Sequence, residues 1–321
     1  MNLLEQSWYQ RGHWLSWLLL PFTALYWLLS VGRRHLFRLG IKRCYTLDVP
    51  VVIVGNISVG GTGKTPFTLW LCQQLAARGI KAGIISRGYG ARITAPILVT
   101  ADSLATEVGD EPLLLARRSN CPVVVCPDRV AAGRALLKQA AVDIILCDDG
   151  LQHYRLARDM EIVLVDGKRG FGNGWLLPAG PLRESCNRLA QVDMVIANSG
   201  QVAQAGYQMQ LHSSNAISLQ GNAGLAVTEV TLVAGIGNPQ RFKVSAEGAG
   251  FTVLAERFFA DHHQFSAADF AGIAGPVLMT EKDAVKCQTF ACNNWYYLPV
   301  AARFSDADTT EIINKITRVL E

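Results

Sequence analysis

The chain has 321 residues, of which 50% are hydrophobic and 17% charged, and its formal net charge is +4. This length allows a large core and two domains, while so weak a positive charge gives no support for a nucleic-acid-binding function. The eight cysteines include no C-x-x-C pair and no histidines at zinc-finger spacing, which excludes the usual zinc motifs and favours reduced thiols in a cytosolic compartment.

The first segment with a distinct character is an apolar stretch of 18 residues from Trp14 to Val31. It is followed by a basic cluster of Arg33, Arg34, Arg38, Lys42 and Arg43. A membrane-spanning helix needs roughly 20 residues, and a signal peptide would carry its basic residues before the apolar run. We therefore favour an interfacial helix held on an anionic membrane surface by the basic cluster. A spanning helix and an ordinary core helix are the alternatives.

A phosphate-binding loop is predicted next. The apolar run 51–54 precedes a glycine loop, and a helical pattern follows from residue 66. The loop reads Gly60, Gly61, Thr62, Gly63, Lys64 and Thr65. Backbone N–H groups of such a loop bind phosphate oxygens, the lysine reaches the β- and γ-phosphates, and the threonine hydroxyl binds Mg²⁺. Ser58 replaces the first glycine of the consensus pattern.

Apolar runs and helical patterns then alternate, which predicts an α/β fold with a mostly parallel sheet and helices on both faces. The predicted strands are 51–54, 82–86, 97–100, 122–126, 143–147, 161–165 and 193–197, and the predicted helices are 66–78, 109–118, 129–140 and 183–190. Residues 200–228 are polar and read as a linker or an exposed ribbon. Beyond them we predict strands at 229–234, 251–255, 276–279 and 295–298, and helices near 240–247, at 266–273 and from 307.

These patterns divide the chain into four parts. Residues 1–43 form a membrane-associating helix with its basic cluster, 44–199 a P-loop core, 200–228 the linker, and 229–321 a smaller α/β domain.

Acidic residues follow or begin several of these elements. Asp148 and Asp149 end an apolar strand downstream of the phosphate loop, which is the Walker B arrangement: one acid would serve the metal shell, and the other would orient a loop or a second ion. Asp110 and Glu111 begin an apolar helix. They are either ordinary first-turn acids or include a carboxylate that acts as base for an attacking hydroxyl.

Basic residues follow other strands. Arg87 and Arg129 come after apolar runs, where an arginine either binds phosphate or forms a surface ion pair. His262 and His263 follow Asp261 and could bind metal, orient a base or cap the next helix. Thr280-Glu281-Lys282-Asp283 resembles a guanine-reading motif only faintly, so we do not infer GTP.

Taken together, these segments resemble the tetraacyldisaccharide 4′-kinase family, the lipid A 4′-kinases of Gram-negative bacteria. The matching pieces are 55–56, 60–66, 86–90, 109–112, 128–129, 148–153, 177–184, 235–239, 261–262 and 280–283. The most specific of them is Asp-Asp-Gly-Leu-Gln-His at 148–153, together with Gly-Tyr-Gly at 88–90 and Asp-Glu-Pro at 110–112.

The resemblance implies transfer of the ATP γ-phosphoryl group to the 4′-hydroxyl of a tetraacyl glucosamine disaccharide 1-phosphate, in lipid A biosynthesis. By motif match, Lys64 and Thr65 would hold phosphate and Mg²⁺ with Asp148 and Asp149 in the metal shell, and Asp110 would be the base, helped by His262. The substrate and phosphate cleft would be lined by Arg87, Tyr89, Glu111, Arg129 and Gln152. The resemblance also implies a peripheral enzyme on the cytoplasmic face of the inner membrane, with no nucleic-acid partner and no obligate protein partner.

A P-loop ATPase that works as a conformational switch or partner-loading factor is the rival hypothesis. Such ATPases usually carry a lysine just before the paired glycines, and Val59 stands there in this chain.

Overall fold

The computed structural model describes residues 3–221 and 228–321. Its α-helices are α1 Leu3–Tyr9, α2 Trp14–Leu18, α3 Leu20–Arg38, α4 Lys64–Ala76, α5 Ala105–Val108, α6 Asp110–Ser119, α7 Arg129–Gln139, α8 Pro239–Gly248, α9 Glu281–Cys287 and α10 Asp306–Thr317. Short 3₁₀ helices span Cys186–Gln191, Ala267–Phe270, Gln288–Phe290 and Arg318–Leu320.

The strands are β1 Val51–Gly55, β2 Ala82–Ser86, β3 Ile97–Val99, β4 Val123–Val125, β5 Ile144–Asp148, β6 Met160–Asp166, β7 Met194–Asn198, β8 Tyr207–Ser213, β9 Ile217–Ser218, β10 Glu229–Ala234, β11 Thr252–Phe258, β12 Val277–Thr280, β13 Trp295–Leu298 and β14 Val300–Arg303. They form two sheets, and each sheet is the centre of one lobe.

The first lobe is built on a sheet in the order β14-β8-β7-β6-β1-β5-β2-β4-β3 within the described residues. The strands from β8 to β4 are parallel, and the edge strands β14 and β3 are antiparallel. Every residue of β1, β5, β6 and β7 is buried, as expected for strands covered on both faces. Helices α4, α6 and α10 pack on one face and α7 on the other. The predicted fold class is confirmed.

The second lobe is built on the sheet β11-β10-β12-β13-β9, in which only the pairing of β13 with β9 is antiparallel. Helix α8 packs on one face through Phe242 and Ala246. Helix α9 packs on the other face through Ala284 and Cys287. Each face therefore has its own apolar core.

The predicted division at 200–228 and 229–321 differs from the observed one at two places. Strand β8 lies in the predicted linker, yet it joins the first sheet between β7 and β14. The chain also returns to the first lobe at its end, because β14 pairs with β8 and α10 buries Ile312, Ile313 and Ile316 in the first core. Residues 222–227 of the predicted linker lie outside the described residues.

The predicted helices at 183–190 and 266–273 are also corrected. The structure has short 3₁₀ helices there, Cys186–Gln191 and Ala267–Phe270. The second begins with a capping box in which Ser266 and Asp269 exchange hydrogen bonds. Arg183 and Glu184 donate their N–H groups to the Ile57 carbonyl and so lie outside the first segment, and the extended backbone of Ala271 ends the second.

The apolar N-terminal stretch forms two helices rather than one. Helix α2 ends at Leu18, and α3 begins at Leu20 with Pro21 in its first turn, a position that tolerates the missing N–H of proline. Among residues 3–221 and 228–321, no helix has both the length and the apolarity required to cross a membrane.

Candidate active site

The predicted phosphate-binding loop connects β1 to α4. Gly60 and Gly63 have left-handed backbones, with φ of +97° and +94°, and a Cβ on Gly63 would lie 2.4 Å from Nδ2 of Asn198. Glycine is therefore needed at position 63. Asn56 donates from Nδ2 to the Ser58 carbonyl at 2.6 Å, which bends the loop back on itself. The predicted nucleotide-binding residues lie together in this loop and the first turn of α4: Gly60, Gly61, Thr62, Gly63, Lys64 and Thr65.

Two side chains that sequence reasoning missed brace this loop. Arg169 donates from Nη2 to the Gly61 carbonyl at 2.8 Å, and Asn198 donates from Nδ2 to the Thr62 carbonyl at 2.9 Å. Arg169 follows β6 and Asn198 ends β7, so both lie at the carboxyl edge of the sheet. The available signal was their position just after apolar strands, the criterion that selected Arg87.

Asp148 ends β5 and is 1% exposed. Burial, and next the charge of Glu111, raises its pKa to about 7. Ser86 donates from Oγ to Oδ2 of Asp148 at 3.3 Å, whereas Oδ1 has no hydrogen-bond partner in the described chain. A buried carboxylate oxygen without a partner is costly unless a cation satisfies it, so this group fits the Mg²⁺ that the family resemblance implies.

The described residues contain no group of three or more His, Cys, Asp or Glu side chains arranged to hold a metal ion by themselves. Mg²⁺ is commonly bound through one or two carboxylates together with substrate phosphates. The nucleotide would therefore complete a magnesium site beside Asp148.

Asp149 makes different contacts from its neighbour Asp148. Its backbone is left-handed, with φ of 48°, and its N–H donates to the Val54 carbonyl at 2.9 Å. Arg183 donates from Nη1 to both carboxylate oxygens at 3.0 Å, and Nζ of Lys64 lies 3.5 Å from Oδ1. Burial alone would raise the pKa of Asp149, but Lys64 and Arg183 hold it well below its usual range. Asp149 thus pairs with two cations, and its metal-shell role stays a prediction.

Asp110 and His262 meet across the two lobes. Asp110 begins α6 and is 5% exposed, and Nδ1 of His262 lies 3.0 Å from its Oδ2 and 3.2 Å from its Oδ1. Burial opposes ionisation of Asp110, but the hydrogen bond from His262 and the charges of Lys282 and Lys286 lower its pKa. The predicted base is therefore an ionised carboxylate. The neighbouring His263 lies 3.3 Å from Asp269 and does not contact Asp110.

Lys282 lies at the centre of this cluster and was not among the predicted site residues. Its Nζ lies 3.1 Å from Oε1 of Glu111, 3.4 Å from Oδ1 of Asp261 and 3.9 Å from Oδ2 of Asp110. The motif that contains it was noticed in the sequence, but nothing local indicated that the second lobe would bring it against α6.

Two of the predicted substrate residues lie on the loop after β2. Tyr89 is 60% exposed, and its ring centroid is 4.7 Å from that of His262. Arg87 is exposed at the end of the strand, and within the described chain no hydrogen bond or ion pair engages its side chain. Both side chains are therefore accessible to a ligand, and Tyr89 lies beside the Asp110–His262 pair.

The side chains of Arg129 and Gln152 form hydrogen bonds to other parts of the chain. Arg129 is 3% exposed, and its guanidinium donates to three backbone carbonyls, those of Cys126, Pro127 and Asp149. Gln152 donates to the Asn56 carbonyl at 3.2 Å and to Oε1 of Glu184 at 2.9 Å. In this structure the two side chains connect the loops of the cleft, and their contact with substrate stays a prediction.

The N-terminal helices rest on the segment that leads to Arg183. Tyr26 of α3 donates its hydroxyl to the Arg183 carbonyl at 3.0 Å, and Thr23 accepts the Ala179 N–H at 3.0 Å. The outward faces of α2 and α3 carry large exposed apolar side chains: Trp14, Trp17, Leu18, Phe22, Leu25, Trp27, Leu28 and Leu29. Eight large apolar side chains exposed on two consecutive helices indicate an interaction site.

Comparisons with known proteins agree with this geometry. The chain is 46% identical over 320 residues to the tetraacyldisaccharide 4′-kinase of Tolumonas auensis, covering 98% of this chain and 97% of that relative. It is 49% identical over 307 residues to the enzyme of the same name from Haemophilus influenzae, covering 94% and 92%.

Among solved structures, LpxK from Aquifex aeolicus in complex with ATP superposes with a TM-score of 0.81 at 27% identity, covering 96% of this chain and all of that one. The family model described as Tetraacyldisaccharide-1-P 4′-kinase matches residues 15–318. This chain belongs to the tetraacyldisaccharide 4′-kinase family.

Proposed function

We propose that this chain transfers the γ-phosphoryl group of ATP to the 4′-hydroxyl of a tetraacyldisaccharide 1-phosphate, in lipid A biosynthesis. The observation that carries the proposal is the buried carboxylate of Asp110, paired with His262 across the lobes. A nucleotide-binding loop alone would suit many proteins, whereas a base at the cleft supplies a partner for an attacking hydroxyl.

The loop 60–65 would bind the nucleotide phosphates. Its backbone N–H groups and the N-terminus of α4 suit negative charge, and Lys64 lies at the first position of that helix. Lys64 is now paired with Asp149 at 3.5 Å, so it can exchange this partner for the phosphates. Mg²⁺, held by Thr65 and Asp148 with Asp149 beside them, would supply positive charge on the phosphate oxygens.

The acceptor would be activated by Asp110. The 4′-oxygen forms a bond to the γ-phosphorus while the bond from that phosphorus to the oxygen bridging the β- and γ-phosphates breaks, and ADP leaves. The hydroxyl proton passes to a carboxylate oxygen of Asp110, which His262 orients through Nδ1. Because phosphoryl transfer depends mainly on alignment and charge neutralisation, a base held by side chains of both lobes suits the reaction.

The rest of the cleft would position the acceptor. Tyr89 lies beside His262 and Arg87 is exposed on the same loop, and they would contact the sugar and its phosphate. Glu111 would contact the acceptor next to Asp110. Arg129 and Gln152 would hold the loops that line the cleft through their hydrogen bonds. Closure of the two lobes would exclude water and limit ATP hydrolysis.

The substrate's acyl chains would stay in a membrane, and the surface of α2 and α3 would bring the enzyme to it. The exposed tryptophans of these helices favour the headgroup region, and the cluster of Arg33, Arg34, Arg38, Lys42 and Arg43 would bind anionic lipid. We infer a peripheral enzyme on the cytoplasmic face of the bacterial inner membrane.

A transfer assay tests the proposal. The purified protein is incubated with γ-labelled ATP, Mg²⁺ and the disaccharide in detergent micelles, and label on the lipid is expected. An acceptor already phosphorylated at the 4′-position is the control and should take no label. Rapid ATP hydrolysis without lipid labelling would favour the rival ATPase switch.

A further inference from the structure

Lys282 stands out among the residues that the proposed mechanism does not use. It belongs to the first turn of α9 in the second lobe, and its side chain is 17% exposed. Four polar side chains surround its Nζ: Asp110, Glu111, Asp261 and His262. Two of these belong to α6 in the first lobe, so the lysine joins the lobes at the catalytic pair.

The charge of Lys282 is well defined. Burial by itself would lower the pKa of this ammonium group, but the carboxylates of Glu111, Asp110 and Asp261 raise it well above its ordinary value. The group is therefore a cation at neutral pH. An ammonium group can donate hydrogen bonds but cannot accept them.

This restriction determines the proton position on His262. Its Nε2 lies 3.4 Å from Nζ of Lys282, while its Nδ1 lies 3.0 Å from the carboxylate of Asp110. Since the ammonium must donate, Nε2 must accept, and the imidazole proton then sits on Nδ1, where it donates to Asp110. The hydrogen bond made by one ring nitrogen thus fixes the role of the other.

We propose that Lys282 is a positioning residue that fixes His262 as the Nδ1–H tautomer and helps to keep Asp110 ionised. The inference rests on the proposed function, because it assumes that Asp110 is the base.

Other charged groups around the pair limit the effect of removing Lys282. Asp261 lies 3.9 Å from Nε2 of His262 and would attract an Nε2–H as a hydrogen-bond acceptor once the ammonium is gone, which favours the other tautomer. Lys286, which is 9% exposed and paired with Asp283 at 2.7 Å, remains 3.8 Å from Asp110. Part of the cationic environment of Asp110 therefore persists without Lys282.

The test compares Lys282→Met with Lys282→Arg, which keeps a donor-only cation. Lys243→Met is the matched control, since Lys243 is a lysine of the same lobe whose partners, Glu247 and Glu256, are not among the site residues. We expect Lys282→Met to lower kcat about tenfold or more with little change in the KM for ATP. The acid limb of its kcat–pH profile should move up by about one pH unit, because the pKa of Asp110 rises when a neighbouring cation is lost.

Imidazole nitrogen NMR provides a readout that a purely structural role would not change. In histidine-labelled enzyme, the His262 signals are assigned by their loss in His262→Ala. The wild type and Lys282→Arg should show the Nδ1–H tautomer, and Lys282→Met should gain the Nε2–H tautomer. Lys282→Gln replaces Lys282→Met if the latter does not fold.

The proposal is overturned if Lys282→Met keeps both the wild-type tautomer and the wild-type acid limb, or if Lys282→Arg behaves as Lys282→Met does. The tautomer is read without any turnover. Failure of the wild type to phosphorylate the disaccharide would therefore contradict the proposed function, while the NMR result would still decide the role of Lys282.

Discussion

The two lobes differ in how completely they cover their sheets. In the first lobe the central strands are buried along their whole length. In the second, the central strands β10 and β12 are mostly buried but neither is buried along its whole length, and the edge strand β11 has no buried residue, with Leu254 63% exposed. The first lobe therefore has the larger buried frame, and it carries the phosphate loop and the acids of β5. The second lobe supplies His262 and Lys282 to a site that the first lobe leaves incomplete.

This division of roles suggests that nucleotide binding and phosphoryl transfer can be separated. The first lobe contains the groups that would bind ATP and Mg²⁺, so it should bind nucleotide when the catalytic pair is broken. Transfer should need both lobes, since Asp110 from one and His262 from the other must be within hydrogen-bond distance. The predictions that follow test this separation of roles, and the last one tests the surface of α3.

The largest effect is expected from Asp110→Asn. The amide cannot accept the hydroxyl proton, so kcat should fall by about 10²- to 10⁴-fold, while ATP binding, measured by equilibrium titration, should change little. Asp102→Asn, which alters an exposed acid before α5, should keep wild-type activity. A kcat of Asp110→Asn near that of the wild type would move the base to another residue.

Asp148→Asn should stabilise the ligand-free protein at neutral pH, because the buried carboxylate proposed to hold Mg²⁺ lowers the free energy of unfolding when it ionises. The folded-state pKa of Asp148 is raised to about 7. The folded state therefore binds the Asp148 proton more tightly than the unfolded state does. The resulting contribution to the free energy of unfolding is present at low pH and is lost as the pH rises towards 7. Without ligand, the wild type should lose on the order of a few kcal/mol between about pH 4 and pH 7, and the asparagine variant should not.

Thermal unfolding of the ligand-free protein measures this difference. The Tm of Asp148→Asn should exceed that of the wild type at pH 8 and approach it at pH 4, although its Mg²⁺-dependent activity is lost. Asp143→Asn, at the exposed amino end beside the same strand, is the control and should show no such pH-dependent gain. An equal Tm difference at both pH values would show that ionisation of Asp148 is not the cause.

The buried parallel strands of both lobes could be predicted because they are continuous apolar runs, whereas two strands at one end of the first sheet were missed. The prediction at 51–54 differs from β1 by a single residue. Strand β8 was missed because every second residue is polar, as in Gln208 and Gln210, and the surrounding segment resembles a linker. Strand β14 was missed because only Pro299 separates it from β13, although the two belong to different sheets.

The site shows the same limit. Lys64 and Asp148 could be predicted because the carboxyl ends of parallel strands meet at one edge of a sheet. Lys282 could not, since no local pattern indicates which surfaces of two lobes will meet. Arg169 follows an apolar strand as Arg87 does, but no local pattern indicates that its side chain reaches the loop at Gly61. The Asp110–His262 pair was expected only through the family resemblance, because helix-start acids and loop histidines are common.

Gly63→Ala tests whether the first lobe tolerates any change in its phosphate loop. A side chain there meets both a left-handed backbone and Nδ2 of Asn198 at 2.4 Å, so we expect a loss of about 1–3 kcal/mol in unfolding free energy, together with weaker ATP binding. Gly61→Ala is the matched control for stability, because a Cβ there has no heavy atom within 4 Å. In urea unfolding, Gly63→Ala should have a lower midpoint than Gly61→Ala. Equal midpoints would mean that the loop adjusts to a side chain at position 63 without loss of stability.

The smallest effect on chemistry is expected at the apolar surface of α3, which belongs to neither sheet. Leu28 and Leu29 are 61% and 64% exposed, and a glutamate at each would put charge where lipid is proposed. We expect Leu28→Glu/Leu29→Glu to bind anionic vesicles at least about tenfold more weakly, because two apolar contacts with the interface are lost and the added acids repel anionic headgroups. Its KM for the lipid acceptor should rise while its KM for ATP stays constant. The control is Leu254→Glu, which adds charge at an equally exposed leucine of the second lobe and should leave vesicle binding unchanged. Equal losses of vesicle binding in both variants would mean that net charge, and not the surface of α3, determines membrane binding.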